Sequence, residues 1–142
     1  MDLAATLALS ISPLHNAHAE EDANLTIHIG EIEVPRGEIW IKVCREENFL
    51  VSRCAHKHVT PAVPDLRWTV RGIQPGPWAV LAWHDLDGDR SLARRPNMLP
   101  AEPVAVSNNI VPMLGPPRFS EASVMLSSGQ ERSISITAWF NW

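Results

Sequence analysis

The sequence predicts an all-β fold: a two-sheet antiparallel sandwich of Ig-like or prealbumin-like topology. Three observations carry this. Six or seven short segments alternate apolar and polar side chains with a period of two, as half-buried strands do. No stretch of ten or more residues holds a 3.6-residue apolar stripe. The 12 prolines and 7 glycines suit turns between strands, because proline removes a backbone donor and clashes inside a helix. With 142 residues, 45% of them hydrophobic, the chain is long enough for one ordinary core and too short for two.

The elements follow in order. Leu25, Ile27 and Ile29 alternate with Thr26 and His28 in a first strand reaching towards Val34, with Gly30 as a candidate bulge. After the turn at Pro35-Arg36-Gly37, Ile39, Ile41 and Val43 alternate with Trp40, Lys42 and Cys44, which predicts a second strand joined to the first as a hairpin. His56 and His58 share a face but have no evident third ligand, so their segment reads as a solvated loop. Leu66, Trp68 and Val70 mark a third strand, with Arg67, Thr69 and Arg71 facing water. Gln74-Pro75-Gly76-Pro77 is a turn, since proline fixes φ and glycine permits positive φ. Trp78 to Trp83 is apolar on both faces, as in a strand near the middle of a sheet that is covered on both sides or aromatic on its outer side. Asp85 to Ser120 has little periodicity; it is expected to cross one end of the sandwich and add a short strand at Val104 to Val106. Ala122, Val124 and Leu126 precede a turn at Ser128-Gly129, and Ile134, Ile136, Ala138 and Phe140 line one face of a last strand.

Residues 1–19 differ from the rest. An apolar stretch, LAATLALSI, is followed by a polar segment and the small-residue pattern Ala17-His18-Ala19 before Glu20, which matches an export leader and its cleavage site. Asp2 stands where such leaders carry Lys or Arg, which points to a start further upstream or to a truncated segment. The plainer reading is an irregular N-terminus on a cytosolic protein. On the export reading, residues 20–142 form a single periplasmic or secreted domain with no membrane span. Cys44 and Cys54 have no CxxC spacing, and an even count in an exported chain points to a disulfide; the alternative is two separate buried thiols. A loop of that size closed by a disulfide stabilises by about 2–3 kcal/mol on the chain-entropy model. The net charge of −4 comes without a basic cluster, which argues against nucleic acid as a partner.

The chemistry concentrates in HDLDGDRSL. Asp85, Asp87 and Asp89 alternate around Gly88, like the opening half of a calcium loop in which the first, third and fifth positions supply carboxylate oxygens. Three hard donors of one charge sign suit calcium. Arg90 occupies the position where an EF-hand needs glycine, and Pro96 replaces the bidentate Glu of the twelfth position, so an intact EF-hand is excluded. The missing ligands would come from backbone, water or a side chain such as Glu102, Asn108 or Asn109. Against calcium stands a plain acidic turn in which the Asp side chains accept nearby backbone N–H groups. His84 opens the loop and is a candidate acid or base, although neighbouring strand residues point to opposite faces and need not touch. Asn108 and Asn109 read first as turn residues and second as amides lining a polar cleft beside the aspartates. Of the six tryptophans, Trp68 and one or both of Trp78 and Trp83 belong to the core, whereas Trp40, Trp139 and Trp142 are expected to face outward. No GxSxG elbow, HExxH helix, P-loop or dinucleotide fingerprint is present.

The succession LTIHIGEI, GEIWIKVC, VRGIQPGPWAVLAWHDLDGDRSL, EPVAVSNN and GPPRFSEASV resembles the bacterial domain-of-unknown-function family numbered 2141, over Asn24 to Phe140. The resemblance implies an exported bacterial protein with one β-sandwich domain. Cys44 and Cys54 are similar to a cysteine pair found in a subset of that family. The family has no established activity. Its acidic loop often continues with Gly and then Lys-Leu-Asp where this chain has Arg90, Ser91, Leu92 and Ala93, which counts against carrying a metal site over from it.

Two functional readings follow. The first is a non-catalytic exported module that presents the loops between Asp85 and Asn109, with an aromatic sheet face, to a protein or glycan of the cell envelope. The second is a metal-dependent enzyme that uses His84 with Asp85, Asp87 and Asp89. A pocket gathering His84, Asp85 and Asn108 would favour the enzyme.

Overall fold

The computed structural model describes residues 4–6, 8–10, 19–51, 53–92, 94–96 and 101–141. Much of the leader-like segment, including Ala17-His18, and the terminal Trp142 lie outside the described residues. Strands β1 (Ala23–Ile29), β4 (Leu66–Ile73) and β8 (Glu131–Ile136) form one sheet in the order β4-β1-β8. The second sheet runs β3 (His56–Pro61), β2 (Glu38–Cys44), β5 (Gly76–Asp85), β6 (Val104–Val106), β9 (Trp139–Phe140), with β7 (Val124–Leu126) paired to the first residues of β5. The architecture is the expected all-β sandwich, with one four-residue helix, α1 (Phe119–Ala122), among the described residues. One pair departs from the antiparallel expectation: β1 and β8 run parallel, each Cα of Asn24 to Ile29 facing its partner in Glu131 to Ile136. Among the described residues no helix is long and apolar enough to cross a membrane.

The period of two decides the core. Leu25, Ile27 and Ile29 from one sheet and Ile39, Ile41 and Val43 from the other are fully buried in one cluster. Each such side chain contributes about 1.5–3 kcal/mol relative to exposure. The apolar run on β5 is buried on both faces, as its sequence predicts. Trp78, Val80 and Ala82 join the main core, while Ala79 on the other face meets Val106 and Ala122, with Phe49 and Phe119 packed against them.

Local pattern did not determine strand partners. β1 and β2 are not a hairpin: β1 ends at Ile29, and residues 30–37 cross from one sheet to the other. Gly30 is no bulge within a strand; it follows β1, and its N–H donates to Ile136 O. Gly37 admits β2 beside β5, because at φ +75° an added Cβ would lie 2.1 Å from Asp85 O. His56 and His58 are in β3 rather than a loop. They sit half-buried on the inward side of this edge strand, His58 stacked on Trp68 at 5.0 Å and His56 5.4 Å from Trp78.

The last apolar alternation also breaks. β8 ends at Ile136 and β9 enters the opposite sheet, so Ala138 and Phe140 do not continue the face of Ile134 and Ile136. Asn109 holds the break, its Oδ1 accepting the N–H groups of Thr137 at 2.8 Å and Ala138 at 3.2 Å. The switch turns Trp139 inward against the main core, contrary to its predicted exposure, and its indole N–H donates to Gly30 O at 2.8 Å. Trp40 does lie on the outer face, half-buried and stacked on Trp83 with ring centroids 5.3 Å apart.

Cys44 and Cys54 are joined by a disulfide at the end of β2. The adjacent Arg45 grips the Gln74–Pro77 turn, donating to Pro75 O at 2.9 Å and Pro77 O at 3.0 Å, with its guanidinium 3.9 Å over the Trp78 ring. Gly76 sits at φ +118°, a backbone conformation that residues bearing a Cβ rarely adopt, so this turn needs glycine.

Candidate functional site

β5 runs the length of its sheet and delivers its last two residues to opposite faces. His84 points inward and is 4% exposed; its Nε2 lies 2.7 Å from Arg36 O. A carbonyl only accepts, so Nε2 is the donor in this contact. Asp85 points to the other side and is completely buried. It lies opposite Glu38 across the β2·β5 ladder, and Glu38 Oε2 is buried without a hydrogen bond among the described residues.

The loop after β5 is organised by its own aspartates. Asp85 accepts the N–H of Gly88 at 3.0 Å and of Arg90 at 2.9 Å, one on each oxygen. Asp87 accepts from Asp89 N at 3.1 Å, and Asp89 from Ser91 N at 2.9 Å. These are the local bonds of the plain acidic turn. They also draw the chain into a tight coil in which Gly88 has φ +71° and Arg90 φ +61°. Arg90 thus takes the left-handed backbone that a calcium loop normally gives to glycine, at a cost of about 1–2 kcal/mol for a residue bearing a Cβ.

This coil gathers like charges. One carboxylate oxygen from each of Asp85, Asp87, Asp89 and Glu102 lies within 4.8 Å of all the others. Glu102 arrives from the start of β6, where His84 N–H donates to Pro103 O and brings the two segments together. Its Oε2 accepts the Trp83 indole N–H at 2.8 Å, and the residue is only 5% exposed. Backbone donation from Asp89 lowers the pKa of the Asp87 carboxyl from its ordinary value.

The other sequence candidates lie elsewhere. Ser107 accepts Val80 N–H and donates to Ala122 O, which places the Ser-Asn-Asn segment beside the middle of β5. Asp85 is five residues further along, roughly 17 Å at the strand rise. Asn108, at φ +62°, donates to Glu121 O and Ser123 O at 2.9 and 3.0 Å, and Asn109 holds the β8–β9 break. Both amides fasten main chain. A cavity of about 400 Å³ does include His84, but Asp85 and Asn108 are not among its walls. Its rim residues Glu31 and Glu33 were not singled out from sequence, where the alternating glutamates after a strand end were the available signal; its wall Trp139 was, but as an outward-facing ring.

A family model described as an uncharacterised protein conserved in bacteria, DUF2141, matches residues 27–135, well over half of the chain. No curated protein and no solved structure matches it significantly.

Proposed function

We propose that this chain, which belongs to the DUF2141 family, is an exported, non-catalytic binding or accessory module of the cell envelope whose acidic end loop holds calcium. The observation that carries the reading is the convergence of Asp85, Asp87, Asp89 and Glu102 within 4.8 Å. Two of the four are buried, and burying carboxylates together is costly unless a cation or several donors offset it. All four supply hard oxygen ligands, which suit calcium better than a nitrogen- or sulfur-preferring metal. The contribution of Glu102 makes up part of what the loop lacks at its twelfth position.

Export is supported by the leader-like N-terminus and by a disulfide, which persists in oxidising compartments. The module would meet a protein or glycan of the envelope through the loop end, with the cation fixing loop shape. His84 faces away from the carboxylates, so the enzyme reading lacks the shared site it needs.

Titration calorimetry with calcium tests the reading. Extracellular calcium modules bind with Kd of roughly 10⁻⁴–10⁻³ M, and a saturating isotherm in that range, lost in Asp87→Asn/Asp89→Asn, is the expected result. A flat isotherm for the unaltered protein at millimolar calcium would overturn it.

A further inference from the structure

We infer that the cavity beneath residues 31–34, on the face of β5 opposite to Asp85, is a binding site for a small organic ammonium ion. The cavity, about 400 Å³, falls within the range of small-ligand pockets. Its walls include Trp139, Leu86 and the buried His84, with Glu31 and Glu33 at the rim, while the Phe140 side chain packs on the other face of the sheet against the cluster of Ala79 and Val106. The charged groups among its described lining residues are these two glutamates; no Lys or Arg lines it, and the neighbouring Arg36 is exposed. A pocket with an indole wall and a carboxylate rim attracts a cation twice, through the aromatic ring and through charge. An alkylammonium head also brings apolar methyl or methylene groups to match Trp139 and Leu86, which a hydrated metal ion does not.

Two further features show that the pocket is built rather than incidental. Its aromatic wall is fixed, because the Trp139 indole N–H donates to Gly30 O and Gly30 N–H donates to Ile136 O. The crossover and the β8–β9 junction therefore hold each other in place, and binding needs little reorganisation. Glu31 is held at φ +57°, a left-handed conformation that glycine or asparagine would adopt more readily. Strain of this kind at a cavity rim is a recurrent property of ligand clamps.

The site is independent of the calcium reading, and its test is run in chelator so that the two fail separately. Choline is titrated into the protein while the Trp139 indole N–H resonance is followed, alongside 3,3-dimethylbutan-1-ol, its neutral isostere. The expected result is saturable movement of that resonance by choline, with the isostere and the Glu31→Gln/Glu33→Gln variant each weaker by about 10-fold, the loss of roughly one desolvated cation contact. Both glutamates are exposed, so the variant retains the fold. Equal binding of the isostere, equal binding by the variant, or no saturation by choline would each overturn the inference.

Discussion

The two ends of β5 use polar residues in opposite ways. At the Trp78 end a single cation, Arg45, satisfies two turn carbonyls and covers an aromatic ring beside a disulfide, so charge there is spent on holding the chain. At the Asp85 end four carboxylates of one sign are brought together, two of them out of water. Only the second arrangement concentrates like charge that an added cation would offset. One end of the strand is thus a fastening and the other, on the proposed function, a cation receptor, although both are built from a short turn with glycine at positive φ.

If that contrast is right, damage at the Trp78 end should cost stability and leave cation binding intact. Trp78→Ala has the largest expected effect, about 3–5 kcal/mol from removal of a buried aromatic, read by urea denaturation. Replacing both Cys44 and Cys54 by Ala should cost about 2–3 kcal/mol through the freed unfolded chain. At the Asp85 end the sign reverses. Arg90→Gly relieves a strained φ and should stabilise the calcium-free protein by about 1 kcal/mol, whereas an unchanged midpoint would remove strain from the description of the loop.

The smallest effect is a pH dependence. Burial, and secondarily the Arg45 charge, lower the His56 pKa from its ordinary value of 6.5. The unfolded chain then takes up the proton first, so stability contributed by neutral His56 is present above about pH 6.5 and is lost as pH falls towards the folded-state value. His56→Gln should flatten that portion of the stability profile, and NMR titration should place the His56 midpoint below that of an exposed histidine.

How much of this was legible in the sequence follows from the range of each interaction. The faces of β1 and β2, the buried run of β5, the disulfide and the Asp85–Asp89 coil depend on neighbours a few residues apart or on compartment chemistry, and the sequence displays them. The β1–β2 hairpin was a wrong expectation because alternation fixes which side chains turn inward but not which strand lies alongside. The break between β8 and β9 was invisible for a related reason: it is imposed by Asn109, 28 residues away from Thr137 in the chain. Glu102 was named only as one of several ligand candidates, since its approach to the aspartates depends on how β6 pairs with β5.

The proximity of Trp83 to the carboxylates permits a direct test of the central claim. Terbium occupies oxygen-rich calcium sites and emits when a nearby excited indole transfers energy to it, and the Trp83 indole N–H is bonded to Glu102 itself. The account predicts tryptophan-sensitised terbium emission that calcium displaces and that Trp83→Phe greatly reduces. Absence of sensitised emission from the unaltered protein, or emission indifferent to both calcium and Trp83→Phe, would contradict it.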